Sequence, residues 1–245
     1  MGKLYSDLAV VYEAMYATFI DYLEEYNFYS KIINRYNKKN LLEIGSGTGN
    51  LASYFVKKSF DYQGLDFSKE MIAIAKAKVP NCKFIEGDMR NFKLEKPIQS
   101  IIMTGRTISY LVTNEDVKST FLTVNKNLEK GGVFCFDFID AYRFIPEIFN
   151  EKRITHKATY NNINYMRKSI WELNLESGMD VQWTSKYYKE VKNEWIEIGE
   201  DHANVRTFLK SELEIFLTIN GFAIKDIIER KSYFFPTYVI VAEKK

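Results

Sequence analysis

Apolar residues fall along this chain in two rhythms, which change over near residue 153. Before that point, short apolar runs alternate with segments whose apolar residues recur every three or four positions. That is the pattern of buried parallel strands separated by amphipathic helices. Tyr12, Tyr16, Phe19 and Tyr22 recur at helical spacing, so residues 5–36 read as one or two helices with these aromatics on one face. Leu41 to Ile44 reads as a first strand, and NLASYFVKKS as a helix with Leu51, Tyr54 and Phe55 inward. YQGLD reads as a second strand, and Ser68 then caps a helix that Pro80 stops. CKFIEGD and IQSIIMT are the third and fourth strands. Thr113 with Asp116 opens a helix carrying Val117, Phe121, Val124 and Leu128, which Gly131 and Gly132 should end before a fifth strand, VFCFDF.

Beyond residue 153 the period drops to two. Ile163, Tyr165, Trp171, Leu173 and Leu175 sit at even spacing, as do Val181, Trp183 and Tyr187, with the turn ESGMD between the sets. Residues 153–208 therefore read as antiparallel strands. Ser211 and Glu214 predict the capping box of a last helix, closed by Gly221, and FAIKDIIE with FFPTYVIVAE predicts a terminal hairpin. The expected fold class is α/β, a doubly wound, mostly parallel sheet with an inserted antiparallel β cap. The expected division is 1–152 with 209–245 as one domain, and 153–208 as an insertion.

Composition narrows the function less than the pattern does. Over 245 residues, 34 Lys and Arg against 32 Asp and Glu leave a net charge of +2, no electrostatic reason to expect a nucleic-acid partner. Cys82 and Cys135 are isolated in apolar surroundings, which suits free thiols in a reducing compartment. No apolar stretch approaches the roughly 18 residues of a membrane span. Asp7 and Glu13 interrupt the N-terminal stretch, so no signal peptide is read there and the expected location is cytoplasmic.

The chemistry concentrates in LLEIGSGTGN, where Gly45, Gly47 and Gly49 lie between a strand and a helix. Such a turn lets backbone N–H groups approach a ligand at a helix N-terminus. Its third glycine comes one residue earlier than in the dinucleotide fingerprint, where Asn50 stands here. Glycines can simply make a turn, but two acids follow in order. Asp66 ends the second strand, where it can accept from both ribose hydroxyls, and Asp88 ends the third, where it can accept from an adenine amino group. Three features at the carboxyl ends of successive strands converge on one crevice.

At these residues the sequence resembles the class I S-adenosylmethionine (SAM)-dependent methyltransferases. LLEIGSGTGN is similar to the family's first motif, GLDFSKEMI to its second and FIEGDMRNF to its third. The resemblance implies SAM as cofactor, a seven-stranded sheet in the order 3-2-1-4-5-7-6 with the last strand antiparallel, and a set of residue roles. Glu43 and the backbone from Gly45 through Ser46 and Gly47 to Gly49 would surround the methionine portion. Asp66 would hold the ribose, Phe67 and Met71 would flank the adenine, and Asp88 with the Met89 backbone would read its edge. Two departures stand on the substrate side: Gln99 near the start of the fourth strand, where relatives often have aspartate, and Arg106 beyond its end.

Methyl transfer from a sulfonium needs the nucleophile held about 3 Å from the carbon and water excluded. Substrate-side candidates come from three places. LAVVYEAMY resembles a segment that covers the cofactor in small-molecule members, nominating Tyr12 and Tyr16. After the fourth strand come Arg106, Ser109 and Tyr110. From the insertion come His202 and Arg206, four apart in a strand and so on one face. His156 has no supporting context and reads as surface. The segments that amino methylation of nucleic acids or cytosine methylation requires are missing, and no His/Asp/Glu cluster suggests a metal. The expectation is a metal-independent small-molecule N- or O-methyltransferase, monomeric or homodimeric, with neither a nucleic-acid nor a membrane partner. The rivals are a SAM-binding protein without catalysis and an NAD or nucleotide-sugar enzyme.

Overall fold

The computed structural model describes residues 8–150, 152–174, 180–231 and 236–245. Expectations for residues 5–7, Leu175, most of the ESGMD turn and the Phe234–Phe235 start of the last strand lie outside these.

Seven strands form one sheet: β1 (Asn40–Ile44), β2 (Asp61–Asp66), β3 (Lys83–Glu86), β4 (Ile98–Met103), β5 (Leu128–Phe138), β10 (Phe222–Arg230) and β11 (Thr237–Lys244). Their order is β3-β2-β1-β4-β5-β11-β10, with β11 antiparallel to both neighbours and the rest parallel. This is the expected α/β sheet, its sixth and seventh positions filled by the terminal hairpin.

Side chains alternate across the sheet, so each strand feeds two cores. Leu42, Ile101, Phe134 and Ile240 pack with α5 (Asn114–Asn127) and α7 (Lys210–Ile219), through Phe121 and Leu217 among others. Their neighbours Leu41, Ile102, Cys135 and Val241 pack on the other face with α2 (Tyr22–Arg35), α3 (Asn50–Lys57) and α4 (Lys69–Lys78). Phe121, Phe134 and Phe136 are fully buried and in mutual ring contact, so truncating one to alanine should cost about 3–5 kcal/mol.

The second sheet runs β6-β7-β8-β9, antiparallel throughout: β6 (Arg153–Tyr160), β7 (Ile163–Asn174), β8 (Asp180–Val191) and β9 (Glu194–Arg206). The chain leaves the large sheet after β5 and returns beside its own exit. The Phe208 N–H donates to Ile139 O at 2.8 Å, and the Ala141 N–H to Phe208 O at 3.0 Å. The small sheet packs on α1 (Ala9–Tyr16) through Tyr165, Trp183 and Tyr187, and on α6 (Ala141–Asn150) through Val181 and Val205.

Several local expectations are corrected. Tyr12, Tyr16, Phe19 and Tyr22 do not share one helix, because the chain breaks after Tyr16 and α2 restarts behind Asp21, whose carboxylate accepts from the Leu23 and Glu24 N–H groups at 3.0 Å each. Tyr12 and Tyr16 still stack, centroids 4.0 Å apart, with Phe19 4.8 Å beyond Tyr16. Gly131 and Gly132 do not cap α5, which ends at Asn127 and passes directly into β5; the glycines form the irregularity where pairing with β4 shifts between Ile98 and Ser100. The last helix begins behind Leu209, whose N–H reaches Glu212 at 3.4 Å, so Ser211 and Glu214 lie inside it. Helix α6, with Pro146 inside it, was not anticipated. Among the described residues, no helix is long and apolar enough to cross a membrane.

Candidate active site

A cavity of about 880 Å³ opens between the carboxyl ends of β1, β2 and β4 and the inner face of the small sheet. Strand ends supply one wall because a parallel sheet leaves its crevice where neighbouring connections diverge to opposite faces.

Gly45 and Gly47 turn the chain there with φ of +76° and +53°, a region L side chains rarely adopt. A Cβ on Gly45 would stand 2.5 Å from Thr107 Oγ1, whereas the same position on Gly47 meets only the Tyr12 hydroxyl, 3.9 Å away. Gly45 is thus required by packing, and Gly47 leaves room toward the cavity. The Asp66 carboxylate holds this turn: Oδ2 accepts from the Gly47 N–H at 2.8 Å and Oδ1 from the Ser68 N–H at 2.9 Å. Burial raises its pKa despite these donors.

Glu43, 2% exposed, lies beneath the turn. It accepts from the Tyr62 hydroxyl and, at 3.0 Å, from Thr104 Oγ1. Burial outweighs both bonds and pushes its carboxyl up to about 7. Asp88 is tuned the other way. Arg90 forks onto it, Nη2 to Oδ2 at 2.6 Å and Nε to Oδ1 at 3.0 Å, and extends to Asp116 at 2.8 Å. The guanidinium holds the Asp88 carboxyl below its ordinary range.

From the N-terminal side, α1 is fastened to the glycine turn by Glu13, which accepts from Thr48 Oγ1, from Asn50 Nδ2 at 3.0 Å and from Lys78 Nζ at 2.7 Å. This brings Tyr12 and Tyr16 to the cavity wall. Beyond β4, Arg106 is buried with φ of +60°, and its N–H donates to Asp137 Oδ1 at 2.8 Å. Ser109 accepts from the Ile139 N–H at 3.4 Å, while Tyr110 packs toward Ile139 and Phe144.

Of the residues singled out in the sequence, Tyr12, Tyr16, Glu43, Gly45, Ser46, Gly47, Asp66, Phe67, Asp88, Met89, Arg106, Ser109, Tyr110 and His202 line this cavity. Gly49 does not; it opens α3 against Ala75. Met71 is likewise off the wall, fully buried in α4. Arg206 faces away from the cavity, ion-paired with Glu212, bonded to Asn114 Oδ1 at 2.6 Å and lying over the Phe208 ring. His202 borders the cavity, but its imidazole lies on the opposite face of β9 from Ala203 and Val205, 3.1 Å from Thr184 Oγ1 and exposed. His156 is not a free surface group: it packs against Phe19, and burial and Arg167 lower its pKa.

Sequence reasoning missed Glu13, Arg90, Thr104 and the cap residues Arg167, Ser169, Trp171 and Trp183. Alternation along β7 and β8 puts Arg167 and Ser169 on the face of the tryptophans, so a polar residue at an inward position was the available signal.

Residues 41–132 match a methyltransferase domain family. The chain is 30% identical over 110 residues to a dTDP-3-amino-3,4,6-trideoxy-alpha-D-glucopyranose N,N-dimethyltransferase of Streptomyces venezuelae, covering 45% of each chain. It is 27% identical over 195 residues to a Bacillus subtilis protein described only as a methyltransferase, covering 76% of this chain and 74% of that one. An amino pentose methyltransferase from Micromonospora echinaspora, solved with SAM bound, has the same fold: TM-score 0.77 at 19% identity, over 96% of this chain and 97% of that one. The chain spans less than half of the Streptomyces relative. With a seven-stranded sheet in this order, a glycine turn after β1 and acids at or just past the ends of β2 and β3, the chain has the fold of the SAM-dependent methyltransferases and carries the match to their domain over residues 41–132.

Proposed function

We propose that the protein transfers the methyl group of SAM to a nitrogen or oxygen of a small-molecule acceptor, by an in-line displacement that uses no metal. The observation that carries this reading is a continuous cavity walled by Gly45, Gly47 and Asp66 on one side and by Trp171, Trp183 and Val205 on the other. Its size is within the roughly 300–1,000 Å³ of small-molecule sites. An amino nitrogen is favoured by the likeness to an amino-sugar N,N-dimethyltransferase and an amino pentose methyltransferase. Residues 153–208 then act as the acceptor cap, and residues 1–152 with 209–245 as the cofactor domain.

The cavity suits SAM. At Gly47 an added Cβ would meet only the Tyr12 hydroxyl, 3.9 Å away, so the turn leaves its wall open to a ligand, and Asp66 sits at a strand end where ribose hydroxyls can donate. When bound, the cofactor supplies a methyl carbon already activated by positive sulfur. In this reading the glycine turn and Glu43 bind the methionine end and Asp66 the ribose. Phe67 and Met89 flank the adenine, whose edge Asp88 reads beside Arg90. Gly49 and Met71 support the site from behind, as the start of α3 and the core of α4. Tyr12, Tyr16 and Tyr110 shield the reacting atoms from water and orient the acceptor, with Arg106 and Ser109 shaping the loop below. Calorimetric titration tests the cofactor half: SAM and S-adenosylhomocysteine should bind and NAD should not. Binding of NAD without SAM would overturn the reading.

A further inference from the structure

The inner face of the cap is not uniformly apolar. Successive cross-strand rows read Leu173, Val181 and Val205; Trp171, Trp183 and Ala203; Ser169, Ser185 and Asp201; then Arg167, Tyr187 and Gly199. The last two rows place a guanidinium, the buried Asp201 carboxylate and a pair of hydroxyls, Ser169 Oγ and Ser185 Oγ 2.8 Å apart, beside two stacked indoles. The indole planes are within 3° of parallel with centroids 5.0 Å apart, and Phe144 meets Trp171 edge-on. Arg167, 3% exposed, has its guanidinium carbon 5.4 Å from the Trp183 ring and 6.0 Å from Tyr16. Arg167, Ser169, Trp171 and Trp183 all line the cavity.

Two donors here lack acceptors. The Nε1 atoms of Trp171 and Trp183 are buried without hydrogen-bond partners, and Trp183 as a whole is 7% exposed. A buried N–H left unpaired costs about 1–3 kcal/mol, so such donors normally meet an acceptor, protein or ligand. A guanidinium on the same wall adds charge and planar donors suited to carboxylate or phosphate.

We infer that the cap is built to take an acceptor carrying an oxyanion, bound by Arg167 with the Trp183 and Trp171 N–H groups, while its apolar body lies against Ile139, Ile148 and Val205. The inference deepens the methyltransferase reading, resting on it only in taking the cap as the acceptor side. The SAM carboxylate is the other source of an oxyanion, and the test separates the two.

Phenyl phosphate and its neutral counterpart phenol are titrated into the protein with and without saturating S-adenosylhomocysteine, by calorimetry. Phenyl phosphate should bind saturably in both cases, and phenol at least about tenfold more weakly, the worth of a charge-assisted contact. Arg167→Gln should cost phenyl phosphate at least tenfold. Trp183→Phe, which keeps a ring and removes the N–H, should cost it a smaller but measurable factor. Both variants should keep S-adenosylhomocysteine affinity, which also shows that they fold. Equal binding of the two probes, absence of phenyl phosphate binding, or wild-type affinity in Arg167→Gln would overturn the inference. So would a loss of S-adenosylhomocysteine affinity in a folded Arg167→Gln, which assigns the guanidinium to the cofactor carboxylate. Failure of the wild type to bind S-adenosylhomocysteine would instead overturn the cofactor reading, and the titrations without it would still judge the cap.

Discussion

The Glu13 carboxylate accepts a hydrogen bond from Asn50 Nδ2 at 3.0 Å, joining the N-terminal helix to the first residue of the helix that follows the glycine turn. The same carboxylate takes Lys78 from α4 and Thr48 from the turn itself. A helix of eight residues is too short to hold itself in water, so its place over the cavity depends on such ties and on packing against the cap. Glu13→Ala should therefore loosen α1 and weaken S-adenosylhomocysteine binding about three- to tenfold, for the loss of bonds worth about 1–1.5 kcal/mol net. Faster amide exchange over residues 9–16, with the large sheet unchanged, is the accompanying signature. Unchanged exchange would show that packing alone holds the helix.

Asp66 binds two backbone N–H groups and faces the cavity with what remains of its acceptor capacity. Asp66→Ala should weaken SAM binding at least about tenfold, the scale of a charge-assisted bond, and lower the melting temperature while the protein still folds, because the Gly47 and Ser68 N–H groups lose their acceptor. An unchanged affinity would remove Asp66 from the site.

Glu43 gives a pH dependence of defined sign. Its carboxyl rises from 4.5 unfolded to about 7 folded, so the folded state holds the extra proton between those values. Stability then falls as pH rises through that window, because the buried group must ionise. Glu43→Gln removes this slope. The melting temperature of the wild type minus that of the variant should decrease from acid to neutral pH. A difference that grows instead would mean the carboxylate is better stabilised than its burial implies.

Arg90 should be worth little to stability, since half-exposed ion pairs contribute about 0–1 kcal/mol. It matters to Asp88: Arg90→Ala should let that carboxyl titrate upward toward its ordinary value, read by carbon NMR. No upward movement would mean another group holds it low.

The strand-end motifs were legible because each is local: a glycine turn or acid directly follows an apolar run, and parallel topology brings the ends together. What escaped the sequence was long-range or locally contradictory. Glu13 meets residues more than thirty positions away, and no spacing rule reports such a contact. Pro146 argues against the helix that forms around it. The break between α1 and α2 was readable in principle, since Asp21 and Glu24 have the spacing of a helix start, but the aromatic period runs across it. Arg206 shows the limit of face arguments. It shares a face with His202, and that face is turned from the cavity, leaving His202 exposed and Arg206 paired with Asn114 of α5 and Glu212 of α7. Arg206→Ala should accordingly lower the melting temperature and leave S-adenosylhomocysteine affinity unchanged.

Transfer of label from methyl-labelled SAM into a pool of small amines and alcohols tests the central claim most directly. The account predicts label on a low-molecular-weight product, made by the wild type and lost in Asp66→Ala. A protein that binds SAM tightly yet labels nothing across amines, hydroxyl compounds and their anionic derivatives would contradict it, and would leave a SAM-binding protein without catalysis.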